Sequence, residues 1–433
     1  MKNNYRNFLI FCFYLLSINV YAQTAQDEFV YGDQLPYAPL LSKRGVHQVG
    51  VRTLLLHNSN QLDILSSTKD NDVFYDRPLK VEIWYPALLN MDEQEKEVYD
   101  EVMGNYNDPK RPLISFQFKG RAKRDAKIKH SETPYPLVIT SHVYTGSRLM
   151  FSYLTEQLAS QGYIVVSIDH TDSTFRDAGP FVSKLLNRSL DDLFVLDAMD
   201  KLSKDSEAFL FNLLDANNTG IIGYSMGGYG ALNVAGAGYS PQAVQLFKEF
   251  TRGRLDLEQR MIGNPSFEAT FDSRIKAIVA MAPWGMENGL WDEEGLLGLK
   301  IPTFFVAGSM DDISGYDDGI KAIYEEALNA ERYLLTYINA RHNIAPNPPP
   351  VDAFQEGLHI DEYLRYADSV WDQRRINNIN QHFISAFLGL KLKSEESNLK
   401  HLEASSFSDE KPWEGFLPRT SIGLELEYQA ERD

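Results

Sequence analysis

The chain has 433 residues, of which 60 are acidic and 42 are basic, so its formal net charge is −18. An apolar fraction of 43% is enough for a large buried core, which excludes a globally disordered chain. So acidic a surface repels nucleic-acid phosphates and argues against a nucleic-acid partner. The single cysteine, Cys12, excludes a disulfide framework, a cysteine-based zinc site and a CxxC redox centre.

The first 22 residues have the pattern of an export signal. Lys2 and Arg6 precede an apolar run over residues 8–20, and Val20-Tyr21-Ala22 supplies small residues before a cut at Gln23. The run is shorter than the roughly 20 residues that a membrane-spanning helix needs. We therefore expect residues 1–22 to be a cleaved signal peptide. The mature protein would be periplasmic or secreted, with no cysteine and no stable membrane anchor.

Further along the chain, short apolar runs alternate with longer helix-like segments. The runs cover residues 81–85, 137–140, 164–168, 220–223, 275–281, 303–307 and 333–338. This alternation predicts βαβ units and a mainly parallel sheet, with an antiparallel start near residues 52–56 and 79–85. Near the end, the apolar residues Ile376, Ile379, Phe383 and Phe387 recur at helical spacing and predict a final packed helix.

Three segments interrupt this pattern, namely residues 90–134, 238–272 and 343–366. The first is charged and is expected to be irregular. We predict one α/β domain over residues 23–433 that carries these insertions, with the last residues, which include Trp413 and Phe416, wrapping the core. The sequence leaves open the oligomeric state and whether residues 238–272 act as a lid.

The most informative motif is Gly223-Tyr224-Ser225-Met226-Gly227, a G-x-S-x-G sequence. It follows an apolar strand and precedes a helix-like segment. At such a junction the sharp turn exposes the serine, and glycines two residues to either side relieve steric crowding. The N-terminus of the following helix offers N–H groups to a developing oxyanion. The motif therefore predicts that Ser225 is a nucleophile.

A serine nucleophile needs a histidine base downstream in this type of fold. His342 follows the strand at residues 333–338 in a loop, where open α/β sheets place their chemistry. The other downstream histidines lie in an insertion (His359), on the final helix (His382) and in the tail (His401), where a packing or surface role is the simpler interpretation. We predict His342 as the base.

The base in turn needs an orienting acid. Asp311 and Asp312 follow the strand at residues 303–307 and the turn at Gly308. Asp311, three residues past this glycine, is favoured as the group that contacts His342, and Asp312 is its direct competitor.

Several segments together resemble a known group of enzymes. They are the ordered serine, aspartate and histidine, and the stretches 77–86, 120–125, 135–142, 160–170, 340–346 and 413–416. This combination resembles the α/β-hydrolase serine esterases related to platelet-activating-factor acetylhydrolase, most closely the bacterial branch labelled "predicted dienelactone hydrolase". The resemblance implies an α/β-hydrolase fold, in which helices flank a mainly parallel central sheet, here with insertions and a C-terminal extension. True dienelactone hydrolases use a cysteine nucleophile, which the predicted mature chain lacks.

The same resemblance suggests two oxyanion-hole donors. One is the N–H of Met226, directly after the serine, and the other is the N–H of Tyr144. The family's Ser-His-Gly is Ser141-His142-Val143 in this chain. Because valine does not readily adopt a positive φ, we expect this loop to be shaped differently.

The chain is also similar to bacterial cutinases and polyester hydrolases in the elbow motif, in Tyr144-Thr145 and in Met281-Ala-Pro-Trp284. This similarity implies that Trp284 forms a wall against the acyl part of an ester. The three insertions argue against the open cleft that a polymer requires.

These patterns together predict a serine hydrolase of small carboxylic esters, with short acyl chains, that uses neither metal nor cofactor. The alternatives are a cutinase-like polyester hydrolase and a non-catalytic binding protein on a hydrolase scaffold. Peptidase and amidase activity stay open, because they share the same chemistry.

Overall fold

The computed structural model describes residues 29–403 and 412–432. The predicted signal peptide, residues 1–22 with Cys12, lies outside the described residues and stays a prediction. Among the helices that the structure describes, none is long and apolar enough to cross a bilayer.

Thirteen strands are present in the described part of the chain. They are β1 (Gln48–Leu62), β2 (Phe74–Leu88), β3 (Glu97–Met103), β4 (Ile114–Gly120), β5 (Lys123–Arg124), β6 (Lys127–Ile128), β7 (Tyr135–Ser141), β8 (Ile164–Asp169), β9 (Leu214–Tyr224), β10 (Ile275–Met281), β11 (Thr303–Gly308), β12 (Arg332–Tyr337) and β13 (Leu424–Gln429).

Six parallel strands form the centre of the main sheet, in the spatial order β8-β7-β9-β10-β11-β12. Their residues are buried almost without interruption, so apolar side chains cover both faces of the sheet. β2 joins this core antiparallel to β8, and β1 pairs antiparallel with β2. The predicted parallel sheet with an antiparallel start is confirmed.

Nine α-helices are present among the described residues. They are α1 (Ser152–Ser160), α2 (Phe181–Lys204), α3 (Met226–Val234), α4 (Pro241–Phe250), α5 (Pro265–Glu268), α6 (Glu293–Leu296), α7 (Ala322–Glu326), α8 (Asp361–Leu364) and α9 (Gln373–Lys393). Short 3₁₀ or π segments, among them Val351–Phe354 and Glu396–His401, complete the helical structure.

The strand order puts the helices on both faces of the sheet. The chain moves from β7 to β8 in one direction and returns across β7 to β9 in the other. Because such crossovers are right-handed, α1 and α2 lie on opposite faces. α3 packs with α2, and α9 packs with α1. The apolar stripe Ile376, Ile379, Phe383 and Phe387 is buried on α9, so the predicted final helix is confirmed.

The expectation that residues 90–134 are irregular is wrong, because β3 and β4 form an antiparallel hairpin there. In β4, the residues Ile114, Phe116 and Phe118 alternate with polar residues, and Phe116 and Phe118 are buried. The charged residues on the other face of the hairpin hid this period-two pattern in the sequence.

The C-terminal extension contributes an edge strand, since β13 pairs antiparallel with β12 along its whole length. The sequence analysis expected an extension over the core but not a strand. Leu424 and Leu426 are buried and alternate with Glu425 and Glu427, which is the pattern of a half-covered strand.

Two insertions contact each other beside the sheet. Arg111 of the first insertion bonds Asp361 at 3.0 Å and Glu362 at 2.7 Å in the third insertion. Arg365 of the third insertion donates from Nη1 to the carbonyl oxygen of Thr145 at 2.8 Å. These contacts hold the third insertion against the loop that follows β7.

Candidate active site

The turn between β9 and α3 presents Ser225 in a conformation that few residue types adopt. Ser225 has φ 54° and ψ −112°. A Cβ atom on Gly223 would lie 2.1 Å from the carbonyl oxygen of Gly227, and one on Gly227 would lie 1.9 Å from that of Ser141. Only glycine fits at these two positions. The predicted strand–turn–helix junction around Ser225 is confirmed.

His342 lies in the loop after β12 and contacts Asp311 in the loop after β11. The His342 Nδ1 atom is 3.0 Å from Oδ1 and 2.8 Å from Oδ2 of Asp311. A carboxylate only accepts hydrogen bonds, so Nδ1 donates, and in the neutral ring Nε2 carries a lone pair. Nε2 is buried and has no hydrogen-bond partner among the described residues.

Tyr224 links the histidine loop to the serine turn. Its ring centroid is 5.3 Å from that of His342. Its hydroxyl donates to Oδ1 of Asn343 at 2.9 Å and approaches the His342 carbonyl oxygen at 3.3 Å. The residue directly before Ser225 is therefore packed against the histidine ring.

The two competing aspartates lie in different surroundings. Oδ1 of Asp311 accepts the main-chain N–H groups of Ile313 at 2.9 Å and Ser314 at 2.8 Å, which fixes its carboxylate. Asp312 is exposed and pairs with Arg341, whose Nε donates to it at 3.0 Å. Asp311 contacts His342, and Asp312 is paired elsewhere.

The loop after β7 carries the predicted second oxyanion donor. Val143 is buried and is not among the residues with positive φ, so valine occupies this position without adopting the backbone conformation that favours glycine. The structure gives no hydrogen-bond acceptor for the Tyr144 N–H within the described residues. Met226 is the first residue of α3, where an N–H group has no acceptor within the helix.

Aromatic side chains line the region between this loop and the serine turn. The N–H of Trp284 donates to the carbonyl oxygen of Ser225 at 3.2 Å. The Trp284 ring meets Phe181 edge to face at 4.8 Å, and Phe181 meets Tyr144 at 6.1 Å. Phe181, which the sequence analysis did not single out, thus joins Trp284 to the loop after β7.

A further carboxyl group, Glu287, lies near the aspartate–histidine pair. Burial raises its pKa to about 7, the charge of Asp311 adds to this shift, and His342 opposes it. Its Oε2 accepts the N–H of Gly285 at 3.2 Å. No local motif marks Glu287, so the sequence alone gave no signal for it.

The other downstream histidines have partners of their own. His359 is exposed beside Asp361. His382 is buried in α9 and accepts the N–H of Leu41 at Nδ1, and burial lowers its pKa to about 3. His401 bonds the carbonyl oxygen of Glu414. None of these three contacts is with the serine turn or with Asp311.

Metal ligands and cavities give no second candidate centre in the described ranges. Over residues 29–403 and 412–432, no group of three or more His, Cys, Asp or Glu side chains is arranged to hold a metal ion. Cavities of about 690 and 570 Å³ lie against the β3–β4 hairpin, and Ser225, Asp311 and His342 line neither of them.

Comparisons with known proteins show which enzymes this chain is similar to. The family model described as "Platelet-activating factor acetylhydrolase, isoform II" matches residues 112–184, a region that includes the loop after β7. Cutinase est1 of Thermobifida alba is 24% identical over 213 residues, which is 49% of this chain and 55% of that protein. Cutinase 2 of Thermobifida cellulosilytica is 23% identical over 215 residues, covering 50% of this chain and 63% of that protein. The chain thus spans little more than half the length of these relatives.

A ferulic acid esterase from Streptomyces cinnamoneus has a similar solved structure. The two chains share 20% identity and superpose with a TM-score of 0.52, covering 83% of this chain and 94% of the other. Together with the parallel sheet, its flanking helices and the serine elbow, these similarities show that the chain has the α/β-hydrolase fold and resembles esterases of the platelet-activating-factor acetylhydrolase and cutinase groups.

Proposed function

We propose that this protein hydrolyses carboxylic esters through an acyl intermediate on Ser225. One observation carries the proposal. His342 is held by Asp311 and packed against Tyr224, directly before Ser225, and its Nε2 is left without a protein partner among the described residues. An imidazole in this state can accept the proton of a serine hydroxyl.

In the proposed reaction, Ser225 Oγ attacks the ester carbonyl carbon while its proton passes to His342 Nε2. The tetrahedral intermediate collapses when His342 returns this proton to the leaving alcohol oxygen, and the C–O bond to the alcohol breaks. Water then attacks the acyl-serine and loses a proton to His342. The bond between the acyl carbon and Ser225 Oγ breaks, His342 returns the proton to this oxygen, and the carboxylic acid leaves. Asp311 keeps the imidazole in the required tautomer and stabilises its cation.

The proposed oxyanion hole consists of the N–H groups of Met226 and Tyr144. Met226 lies at the N-terminus of α3, where the free N–H groups and the helix dipole favour negative charge. The Tyr144 N–H has no acceptor within the described part of the chain, so it is available to a substrate oxygen. Donors aimed at the developing oxyanion usually contribute about 10²–10³ in kcat each.

We propose small esters with short acyl chains as substrates. Ser225, Asp311 and His342 are only 5–6% exposed, and Arg365 of the third insertion bonds the loop that carries Tyr144. Trp284 and Phe181 supply an apolar wall suited to an acyl group. Such an enclosed site fits a small ester better than a chain of polymer.

A cutinase-like polyester hydrolase is the second candidate, and the similarity to curated cutinases favours it. The low exposure of the proposed triad argues against it. A non-catalytic binding protein on the same scaffold would not need the unoccupied His342 nitrogen. We further propose that residues 23–433 form one domain, exported by residues 1–22 to the periplasm or the medium.

The test uses purified protein and p-nitrophenyl esters with acyl chains from C2 to C12, beside a polyester suspension. We expect the highest kcat/KM at the short end of the series. Ser225→Ala should lower kcat by about 10⁶ without unfolding the protein. An organophosphonate probe should label Ser225 in the wild type and nothing in the variant. Labelling of another serine, or a faster reaction with the polymer, would contradict the proposal.

A further inference from the structure

A second serine–histidine–aspartate chain lies inside the protein, at the end of β7. Ser141 Oγ is 2.8 Å from Nε2 of His170, and Nδ1 of His170 is 3.0 Å from Oδ2 of Asp191. The exposed fractions are 0% for Ser141 and 1% for each of the other two residues. Asp191 is also held by two bonds from Arg77, at 2.8 and 2.9 Å.

The hydrogen bonds of this chain run in one direction. The Asp191 carboxylate can only accept, so Nδ1 of His170 donates to it. Burial and the cations Arg188 and Arg77 lower the pKa of His170 well below its ordinary value, so the ring is neutral and Nε2 carries a lone pair. Asp192 lies on the same side, with Oδ1 3.8 Å from Nε2 of His170, and burial raises the pKa of this carboxyl group well above its ordinary value. Ser141 Oγ is closer to Nε2, at 2.8 Å, and donates its hydroxyl proton to it.

These three residues do not form a second catalytic centre. Ser141 and His170 are closed off from solvent, so no substrate reaches the serine oxygen. The arrangement instead fixes the position of the Ser141 main chain.

The main chain at Ser141 contacts the elbow that carries the proposed nucleophile. Its carbonyl oxygen lies so close to Gly227 that an added Cβ would be 1.9 Å away. Gly227 directly follows Met226, the first proposed oxyanion donor. Three residues further along from Ser141 lies Tyr144, the second proposed donor. The short stretch from Ser141 to Tyr144 therefore sets the separation of the two N–H groups.

Other buried groups hold the same stretch of chain. Arg188 donates to the carbonyl oxygen of His142 at 2.8 Å. Nε2 of His142 accepts the N–H of His170 at 3.3 Å, so its Nδ1 carries the proton and donates to the carbonyl oxygen of Val143 at 2.6 Å. His170 thus bonds this stretch twice, through its ring to Ser141 and through its main chain to His142.

We propose that the Asp191–His170–Ser141 chain is a positioning device that holds the oxyanion loop in register with the serine elbow. The inference rests on the proposed ester hydrolysis and adds Ser141 and His170 to it as positioning residues. They touch no substrate. Their effect is on the transition state, because only the developing oxyanion requires both N–H groups at once.

The protein contains a matched control residue for the hydroxyl of Ser141. Ser167 in β8 is also fully buried and lies on the strand next to β7, but its Oγ has no hydrogen-bond partner among the described residues. Ser141→Ala and Ser167→Ala remove the same atom from neighbouring strands. Only the first change breaks the chain of hydrogen bonds.

The experiment compares the wild type, Ser141→Ala, Ser167→Ala and Ser225→Ala with p-nitrophenyl acetate. Ser141→Ala should lower kcat by about 10², the cost of a misplaced oxyanion donor, with KM changed less than about threefold. A boronic acid, which forms a tetrahedral adduct with the serine, should bind weaker by a similar factor. Ser167→Ala should match the wild type in all three values.

The outcomes separate the two proposals. An inactive wild type would overturn the proposed function. An active wild type with an inactive Ser225→Ala, but with equal kcat and boronate affinity in Ser141→Ala, would overturn the positioning role alone. An equal fall in kcat in Ser141→Ala and Ser167→Ala would also overturn the positioning role alone.

If Ser141→Ala does not fold, Ser141→Cys takes its place, since it keeps the side-chain shape and a weaker donor. The kcat of Ser141→Cys should lie between that of the wild type and that expected for Ser141→Ala. The wild type itself gives an independent check by ¹⁵N NMR of the His170 ring. Nε2 should stay unprotonated from pH 5 to 9, and a ring that gains a proton within this range would overturn the proposal.

Discussion

The pairs Asp311–His342 and Asp191–His170 use the same two side chains in the same orientation but differ at the second ring nitrogen. The carboxylate contacts Nδ1 at 2.8 Å in the first pair and at 3.0 Å in the second. Nε2 of His170 is bonded to Ser141, whereas Nε2 of His342 has no partner among the described residues. A catalytic base is itself hydrogen-bonded to its serine, so occupation of Nε2 does not separate the two pairs. Solvent access does, because Ser141 and His170 are 0–1% exposed, whereas Ser225 and His342 are each 5% exposed.

The charged groups around the two histidines also differ. Two arginines oppose a proton on His170, whereas carboxyl groups lie near His342. Arg77 binds Asp191 through two nitrogens, and Arg188 lies close enough to oppose a proton on His170. The carboxyl groups of Asp311 and Glu287 lie near His342. Negative charge stabilises an imidazolium as it forms, and positive charge prevents one. An Asp–His–Ser arrangement in space is therefore assigned to catalysis only when the charge and solvent access around it are known.

The largest expected effect is on catalysis, at Asp311. Asp311→Asn should lower kcat by about 10⁴, because the amide no longer holds the His342 tautomer or stabilises its cation. The change in the free energy of unfolding should be much smaller than the change in activation free energy that this loss of kcat represents. Steady-state kinetics and urea unfolding of the same preparation measure both. A variant that keeps a tenth or more of the wild-type kcat would show that Asp311 is not the orienting acid.

The matching change in the other pair should affect stability. Asp191→Asn removes one of the two carboxylates that pair with the buried Arg77, and Asp172 stays in place at 3.2 Å. The variant should therefore lose stability, by less than the about 3–5 kcal/mol of a buried charge left without any partner. Urea unfolding followed by tryptophan fluorescence gives the value, with Asp311→Asn as the control. If both aspartate variants lose stability equally, the contrast between the two pairs fails.

The acid side of the kcat/KM profile should contain the ionisation of His342 and none from His170, and Glu287 is the neighbouring group that titrates near pH 7. His342 must be unprotonated to accept the serine proton, so on the acid side kcat/KM should fall about tenfold per pH unit. The pKa of His170 is lowered by burial and by its cationic neighbours, so this ring gains no proton in the folded state over that range. Profiles from pH 5 to 9 with p-nitrophenyl acetate test this in Glu287→Gln, which removes the neighbouring carboxyl group. Two acid-side ionisations or none in this variant would contradict the prediction.

His170 should instead contribute to acid sensitivity of the fold. Its pKa is about 6.5 when unfolded and far lower when folded, so below pH 6.5 the unfolded state binds a proton that the folded state does not. This contribution reduces stability as the pH falls. The unfolding free energy of the wild type should fall from pH 7 to pH 5, and this fall should be smaller in His170→Gln, whereas equal falls in the two proteins would contradict the prediction.

The smallest effect is expected at Asp312, the neighbour of the proposed acid. Asp312→Asn should lower kcat less than about tenfold, because an exposed pair such as Asp312–Arg341 contributes little. A loss as large as that of Asp311→Asn would mean that the two aspartates share the role.

Local patterns in the sequence were sufficient to predict the parallel sheet and the turn that carries Ser225. The motif around Ser225 specifies its turn within five residues, and the runs that form β7 to β12 are largely apolar because both faces of the sheet are covered. The hairpin β3–β4 and the edge strand β13 were missed. Their alternating pattern was present, but charged residues on the open face made it look like loop.

The Asp191–His170–Ser141 chain was beyond sequence reasoning. His170 is 29 residues from Ser141 and 21 from Asp191, and the three lie on different elements. No spacing rule links them, because the strand order alone brings the ends of β7 and β8 together next to α2. The sequence also left the choice between Asp311 and Asp312 open. These residues are adjacent, so only the direction of each side chain decides which one reaches His342.

The edge strand β13 has a consequence for self-association. Without it, β12 would present a row of unpaired N–H and C=O groups, and such an edge invites strands from other molecules. β13 pairs with every residue of β12, and Glu425 and Glu427 place two negative charges on the outermost strand. Because the chain passes from β12 directly into the loop of His342, the pairing places the open edge of the sheet one strand away from the segment that holds the histidine.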